Sequence, residues 1–416
     1  MNKTIKPGMR FGAMNPPASK SISHRMLIAA ALSSHNCEIE CHGLSNDITA
    51  TIDCLKALGS EITIDGDIIK TTPCKRFVED IAFLPCRESG STLRFLIPVV
   101  GALHREAVFQ MEGRLSERPL DELLKVCREH GMKFMKDGNS LYVSGHLHSG
   151  EYEIPGNISS QYITGLLFAL PLVYGSGTLK VTGNIESAGY IQMTEDVLNT
   201  AKINFHKEGN IYHIDAENGF DMPENAAVEK DWSGAAFPLC MGALSEEGIE
   251  VDGLLLSSSQ GDKQILDVLK KFGAIINISD TKIVVKKGKL TGIELDAHDI
   301  PDLVPVISTV AAFADGKTVI YGAERLKLKE SDRIESTANM LKSLGADVIA
   351  TDDGLIINGK QKLSGGFVDS YSDHRIAMSA CVASLGCENE VIVSNAECTD
   401  KSYPDFWEDF EALKMI

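Results

Sequence analysis

Positive charge does not predominate in this chain: of its 416 residues, 40 are Lys or Arg and 58 are Asp or Glu, a formal balance of −18. A sequence-independent hold on nucleic acid needs a basic face, so no nucleic-acid partner is expected. The acid surplus repels anions mildly at long range. An anionic substrate would therefore need a local group of Lys and Arg. Long apolar runs are also missing. Residues 95–103 and 163–173 are too short or too interrupted to cross a bilayer. The opening Met1-Asn2-Lys3-Thr4-Ile5-Lys6 has neither the apolar core of a secretory signal nor the Arg/Ser bias of a transit peptide. No membrane partner and a cytoplasmic location are the expectations. The ten cysteines form no C-x-x-C pair. Cys37, Cys41 and His42 lie close together, but no second ligand pair follows, and zinc wants a closed set of four. No metal is expected, and the thiols read as reduced and structural. There is no G-x-x-x-x-G-K-[ST] loop, no complete G-x-G-x-x-G and no H-E-x-x-H, so no cofactor is expected.

What the chain does have is ordinary globular composition, 44% hydrophobic and 24% charged, at a length that exceeds one typical core. It also repeats itself. A helix-like unit ends at Gly59, Gly131, Lys202, Gly273 and Gly345, with steps of 71 or 72 residues. Gly suits a helix C-cap because it takes positive φ cheaply. Two short β-like runs around a polar turn follow each unit, as in residues 61–69 and 347–357. A second marker keeps the same phase: an apolar helix precedes a strand ending at Gly43, Gly113, Gly183, Gly253, Gly322 and Asn395. Those helices are apolar nearly all round, which predicts burial. Two markers in one phase predict six copies of a small α/β module, three in each of two domains. The sixth copy's amphipathic helix, residues 406–415, has no strands after it, and residues 3–11 are free to supply the missing one. The chain would then start in the second domain. The predicted boundaries are 18–229 for one domain and 1–17 plus 230–416 for the other, with hinges near 16–18 and 229–231.

Each apolar helix begins in small polar residues: Ser19-Lys20-Ser21-Ile22-Ser23-His24-Arg25, Glu88-Ser89-Gly90-Ser91-Thr92-Leu93-Arg94, Ser159-Ser160-Gln161, Asp231-Trp232-Ser233-Gly234, Ile300-Pro301-Asp302 and Ser372-Asp373-His374-Arg375. Any one of these reads as ordinary N-capping. The first amides of a helix are also unpaired donors with partial positive charge. Lys20, Arg25, Arg94 and Arg375 add full charge, which favours anion binding over capping alone. Three more polar runs, at Glu117-Arg118-Pro119, Lys329-Glu330-Ser331-Asp332-Arg333 and Asp400-Lys401-Ser402, occupy matching phases between strand and helix. They are solvated faces by default, but cleft loops tend to lie at that position.

These motifs carry a resemblance. P-x-S-K-S-x-S-x-R at 17–25, S-G-S-T-L-R at 89–94, E-R-P at 117–119, S-S-Q at 159–161, K-E-S-D-R at 329–333 and D-H-R at 373–375 resemble the 5-enolpyruvylshikimate-3-phosphate synthases of the enolpyruvyl transferase family, over essentially the whole chain. The resemblance implies an inside-out α/β fold, two domains of three modules each. It implies transfer of the enolpyruvyl group of phosphoenolpyruvate to the 5-hydroxyl of shikimate 3-phosphate, with release of phosphate, by a monomer. It assigns Lys20, Ser21, Arg25, Ser159, Ser160, Gln161, Ser187, Asp302 and Lys329 to shikimate 3-phosphate. Phosphoenolpyruvate falls to Lys20, Gly90, Arg118, Gln161, Arg333, Arg375 and Lys401. The catalytic expectation is Asp302 as base, Glu330 as acid and Lys20 stabilising charge. Gly90 is the small residue of glyphosate-sensitive members, so competition by glyphosate against phosphoenolpyruvate is expected. Three departures stand out: Glu88 where many members carry Asn, Arg325 in place of an Asn, and Ala188-Gly189 in place of Lys-Pro before Tyr190. The rival readings are transfer to UDP-N-acetylglucosamine, whose enzymes build this motif around Lys-Asn, and an inactive binding protein on the same fold, which would be expected to have lost Lys20, Asp302 or Glu330.

Overall fold

A computed structural model of the chain describes residues 1–215 and 219–415. The chain forms two compact units, one of Lys20–Val228 and one of Met1–Ser19 with Glu229–Ile416. The architecture is mixed α/β: twelve helices and six small sheets among the described residues.

In the unit Lys20–Val228 the helices are α1 (Lys20–Leu32), α2 (Asn46–Ala57), α3 (Gly90–Ala102), α4 (Asp121–Glu129), α5 (Ser160–Ala169) and α6 (Ala188–Thr200). The odd-numbered ones are sheathed on all sides. In α3 every residue except Ser91 is buried, which fits its lack of a polar face. Truncating a fully buried residue there, such as Leu96, is expected to cost about 2–5 kcal/mol. Pro98 lies inside this helix and has no N–H, so the Arg94 carbonyl loses its partner one turn back. Gly165 of α5 packs onto that carbonyl, and a Cβ there would stand 2.4 Å from it. The two helices approach this closely because Gly165 has no side chain. α4 carries the opposite pattern, with Leu123, Leu124, Val126 and Cys127 buried and the charged residues outward.

Each module surrounds its buried helix with a sheet of one plan. Ile81–Arg87 runs parallel to Glu106–Met111, which pairs antiparallel with Ser140–Gly145, which pairs with Met132–Asp137. Gly150–Pro155, Gly177–Thr182, Ile211–Ile214 and Phe205–Glu208 repeat this order, as do Asn225–Ala227, Cys37–Glu40, Ile68–Thr71 and Ile62–Asp65.

The other unit holds α7 (Trp232–Leu244), α8 (Ile265–Phe272), α9 (Val304–Ala311), α10 (Arg333–Ser343), α11 (His374–Ser384) and α12 (Phe406–Ala412). α7, α9 and α11 supply much of its core. The chain start is shared out: Lys3–Ile5 pairs antiparallel with Val391–Val393, and Arg10–Met14 runs parallel to Ile249–Val251. Residues 3–11 thus complete the sixth module and also enter the fourth. The last helix stops at Ala412, earlier than the pattern predicts. Lys414–Met415 then forms a two-residue strand against Arg10 and Phe11. A strand that short has no alternation to read.

The repeat has a backbone cause. Gly43, Gly113, Gly183, Gly253, Gly322 and Asn395 all take positive φ, as do the helix-ending Gly59, Gly131, Gly273 and Gly345. Lys202, the one non-glycine in that second set, takes it too, at φ 54. The period marks left-handed turns, where glycine is the least strained residue.

Candidate active site

In Lys20–Val228 the predicted residues Lys20, Ser21, Arg25, Gly90, Ser159, Ser160 and Gln161 sit at or within two turns of the starts of α1, α3 and α5, whereas Arg118 and Ser187 lie outside these buried helices. Ser89 accepts a hydrogen bond from Thr92 N and Ser159 one from Gln161 N, so both cap their helices. Lys20 opens α1, and its Nζ lies 3.0 Å from Asp47 Oδ2 in the first turn of α2. Arg25 is 1% exposed. Its Nε donates to Thr194 Oγ1 at 2.9 Å and its Nη2 to Tyr190 O at 2.9 Å and Thr164 Oγ1 at 3.3 Å. Nη1 donates to Ser21 O, and the guanidinium lies 5.0 Å from the Phe95 ring centroid. Every one of these partners is neutral. Burial presses the Arg25 pKa down, yet arginine stays charged at any working pH. The cation is hydrogen-bonded but not neutralised by these groups, which is the state a bound anion relieves.

A second cluster surrounds Gly90, the first residue of α3. A Cβ on Gly90 would lie 2.7 Å from Arg94 Nη1 and 2.9 Å from Arg118 Nη1. Arg94 donates to Gln161 Oε1 at 2.8 Å and to Pro119 O at 3.1 Å, while Gln161 Nε2 donates to Ser91 Oγ at 2.9 Å. Gln161 is thereby held in one orientation. Arg118 follows the turn Gly113–Glu117, and its buried Nε has no partner among the described residues. Glu88 turns onto that same turn: a Cβ on Gly113 would meet its Oε1 at 2.4 Å. Ser187 is buried and left-handed, φ 54, a conformation rare for serine and common at functional positions. Ser160 is buried at the head of α5. Tyr190 contributes its carbonyl to Arg25, so the Ala188-Gly189 departure leaves a backbone contact intact. Cys41 and His42 are engaged elsewhere, Cys41 Sγ at 3.2 Å from Ser23 Oγ and His42 Nδ1 at 3.1 Å from Asp67 Oδ2.

The unit Met1–Ser19 with Glu229–Ile416 uses a different arrangement. Asp302, in the turn Pro301–Leu303 before α9, meets Arg333 Nη1 at 2.9 Å, Lys329 Nζ at 3.2 Å and Arg375 Nη2 at 3.2 Å. Arg375 Nη1 also donates to the Asp302 carbonyl at 3.0 Å. Burial alone would raise the Asp302 carboxyl, but Arg375, Lys329 and Arg333 together hold it well below the usual carboxylate range. Arg333, 1% exposed, also donates to both oxygens of Asp373, at 2.8 and 3.1 Å, and to Glu330 Oε2 at 2.8 Å. Against its burial, Asp373, Glu330 and Asp302 raise its pKa. Asp373 caps α11 through Arg375 N at 3.0 Å and accepts from Ser331 Oγ at 2.9 Å. Lys401 is buried on the turn Ala396–Lys401, and Arg325 is half-buried on the turn Glu324–Leu328.

Asp302, Lys329, Glu330, Arg333 and Arg375 therefore form one bonded cluster. The sequence alone does not single out Asp47, Asp373 or Asp262 as site residues. Asp47 and Asp373 sit at helix starts, where an acidic residue reads as a cap. Asp262 lies in the run Ser257-Ser258-Ser259-Gln260-Gly261-Asp262, which reads as a polar loop.

The profile of the EPSP synthase (3-phosphoshikimate 1-carboxyvinyltransferase) family matches residues 7–410. The chain is 39% identical to the 3-phosphoshikimate 1-carboxyvinyltransferase of Clostridium novyi, covering 100% of this chain and 98% of that one. It is 41% identical to the protein of the same name from Clostridium acetobutylicum, with 98% and 96% covered. Among solved structures, an EPSP synthase from Acinetobacter baumannii superposes with a TM-score of 0.80 at 26% identity, over 99% of this chain and 97% of that one. The enolpyruvyl transferase NikO of Streptomyces tendae has the same fold, TM-score 0.80 at 18% identity, again with 99% and 97% covered.

Proposed function

The chain belongs to the EPSP synthase (3-phosphoshikimate 1-carboxyvinyltransferase) family, and from that premise we propose that it transfers the enolpyruvyl group of phosphoenolpyruvate to the 5-hydroxyl of shikimate 3-phosphate, releasing phosphate, in the pathway to aromatic amino acids. The observation that carries the reading is the carboxylate Asp302 held by Lys329, Arg333 and Arg375. The reaction is addition followed by elimination. The hydroxyl oxygen attacks C2 of phosphoenolpyruvate as C3 takes a proton, giving a tetrahedral ketal. Phosphate then leaves, and C3 returns a proton. A base, an acid and fixed cations are required.

The three cations make Asp302 a weak base as it stands. The carboxylate and phosphate of the substrates compete for Lys329, Arg333 and Arg375. As these cations turn to substrate, the Asp302 pKa rises toward a value useful for accepting the 5-hydroxyl proton. Glu330, joined to the same Arg333, is the proposed acid that protonates C3. In the other unit Arg25, with only neutral groups about it, and Ser21, Ser159, Ser160, Gln161 and Ser187 are the proposed receptor for shikimate 3-phosphate. The proposed ligands of phosphoenolpyruvate are Lys20, Gly90, Arg118 and Gln161 of this unit, and Arg333, Arg375 and Lys401 of the other. The Asp47 carboxylate orients the Lys20 ammonium without removing its charge. The working form is proposed to be a cytoplasmic monomer.

The test is phosphate release from phosphoenolpyruvate with and without shikimate 3-phosphate. Release that depends on shikimate 3-phosphate is expected. Release that depends instead on UDP-N-acetylglucosamine, or none with either acceptor, would overturn the assignment.

A further inference from the structure

The chain leaves the unit Met1–Ser19 with Glu229–Ile416 at Ser19 and re-enters it at Glu229. Within this unit the two crossing segments are paired: Ala18 bridges Lys230 antiparallel, Ser19 N donates to Glu229 O at 2.7 Å, and Asp231 N donates to Pro17 O at 3.0 Å. One side chain is bonded to both. Gln260 is 3% exposed. Its Oε1 accepts from Ser19 Oγ at 3.1 Å and from Trp232 N at 3.0 Å. Its Nε2 donates to Glu229 Oε1 and to Lys230 O, both at 2.8 Å. A primary amide has two donors and two acceptor sites, and all four are used. Only this orientation of the amide fits, because a carboxylate and a carbonyl face its nitrogen while a hydroxyl and an N–H face its oxygen. No other natural side chain of similar size offers two donors and two acceptors: glutamate has no donor when ionised, and leucine has neither.

Two short routes lead from this amide to the carboxylate cluster. Along the chain, Gly261 and then Asp262 follow Gln260 in the turn Gly261–Gln264. Across the chain, Gln260 holds Trp232 N, and the next residue, Ser233, donates its hydroxyl to Asp262 Oδ2. Asp262 is 4% exposed and lies within electrostatic range of Arg375 and Asp302. We propose that Gln260 is a positioning residue for the transfer reaction: by holding both chain crossings and the start of α7 on one amide, it sets where the Asp262 carboxyl stands against Asp302 and Arg375. This rests on the transfer activity proposed above. Burial and the charges of Asp302 and Asp231 push the Asp262 carboxyl up, against Arg375 and the Ser233 bond, to about 6. A small displacement of Asp262 therefore changes the charge that Asp302 and Arg375 experience near neutral pH.

The test compares steady-state phosphate release by the full chain and by Gln260→Leu, which removes all four side-chain bonds. Ser245→Ala is the structural control. It deletes a buried bond of the same unit, from Ser245 Oγ to Arg10 O, and is expected to lower the melting temperature with kcat unchanged. For Gln260→Leu the expected result is cooperative unfolding above the assay temperature, a fall in kcat of about tenfold, and a shifted pH of half-maximal kcat. A folded Gln260→Leu with kcat and pH profile like those of the unsubstituted protein would overturn the inference while leaving the reaction in place. Failure of the unsubstituted protein to release phosphate would instead overturn the reading beneath it. Should Gln260→Leu not fold, a swap decides. Gln260→Glu sets a carboxylate against Glu229, and adding Glu229→Gln restores a donor between them. Recovery of kcat in the double variant supports the inference, and equal kcat in single and double variants overturns it.

Discussion

The two units bury a cation in opposite ways. Arg25, in Lys20–Val228, is bonded to hydroxyls and carbonyls: Thr194, Thr164, Tyr190 and Ser21. Arg333, in the other unit, is bonded to the carboxylates Asp373, Asp302 and Glu330. The physical consequences differ. A buried cation among neutral dipoles keeps its charge available and suits a receptor for phosphate. A buried cation among carboxylates is already neutralised, so its value lies in holding those carboxylates rigid and setting their proton affinity. Under the proposed reaction, the Arg25 environment would receive charge, whereas the Arg333 environment would set proton affinity until substrate draws its cations away.

The largest expected effect breaks the tuned side. Asp302→Ala removes the carboxylate shared by three cations and is expected to lower kcat by roughly 10³-fold, within the usual range for loss of a general base. Acceptor-dependent phosphate release measures it. Glu330→Ala should cost less, about 10²-fold, because Arg333 keeps Asp373 and Asp302. A Glu330→Ala loss larger than that of Asp302→Ala would exchange the roles of the two residues.

Stability sharpens the comparison directly. Asp373→Ala removes the two-oxygen partner among the three carboxylates of buried Arg333, together with the cap of α11 and the acceptor of Ser331, and is expected to cost about 3–5 kcal/mol. Thr194→Val removes one neutral partner of Arg25 and should cost only about 1–2 kcal/mol. Denaturant unfolding of the two variants tests the claim that carboxylates bear the load in one unit and shared dipoles in the other. Equal losses would mean that the two cations are held alike.

Much of this was legible in the sequence, and what was not has a common cause. The period of 69 to 73 residues is written in left-handed turn positions and apolar helices, both local properties, so the modules and their helix starts are readable by eye. The pairing of charges is not local. Arg333 reaches Asp302 and Asp373 across 31 and 40 residues, Arg375 reaches Asp302 across 73, and Arg25 reaches Thr164 and Thr194 across 139 and 169. No periodicity encodes such partners. Asp373 stood in a recognised motif yet read as an N-cap, and it is one. Its second duty, to Arg333, exists only once the helices pack. Gln260 and Asp262 carried no signal at all, since a serine-rich loop with Gln, Gly and Asp is the usual composition of a turn.

A pH-dependent measurement separates the proton that Asp262 holds from the cluster around it. In the folded protein its carboxyl titrates at about 6, above the usual value near 4. Between those values the native state binds more protons than the unfolded chain. The Asp262 contribution to stability is therefore full below about pH 4 and is lost as pH rises through about 6. Asparagine keeps an acceptor for Ser233 and does not titrate. The advantage of Asp262→Asn over the unsubstituted protein should thus grow from pH 4 to 7 by about 1–3 kcal/mol and then level off. Taking the difference cancels Asp302, whose depressed pKa acts in the opposite direction in both proteins. A difference independent of pH would mean that Asp262 is charged throughout.

The smallest expected effect lies on the receiving side, at Gly90. A methyl group there would sit 2.7 and 2.9 Å from the guanidinium nitrogens of Arg94 and Arg118, so both must withdraw by several tenths of an ångström. They are the ends of long side chains and can move, which keeps the fold intact. Arg94 also fixes Gln161, so the shift passes to a third proposed ligand. Gly90→Ala should therefore raise KM for phosphoenolpyruvate by roughly tenfold, about 1.4 kcal/mol of uniform binding, with a smaller change in kcat. Glyphosate competing at the same cations should weaken at least as much. KM for shikimate 3-phosphate should move less, because Arg25 and its neutral partners are untouched by the methyl group. An equal rise in both KM values would mean that the Gly90 cluster and the Arg25 pocket act as one receptor, and the division of labour within this unit would have to be redrawn.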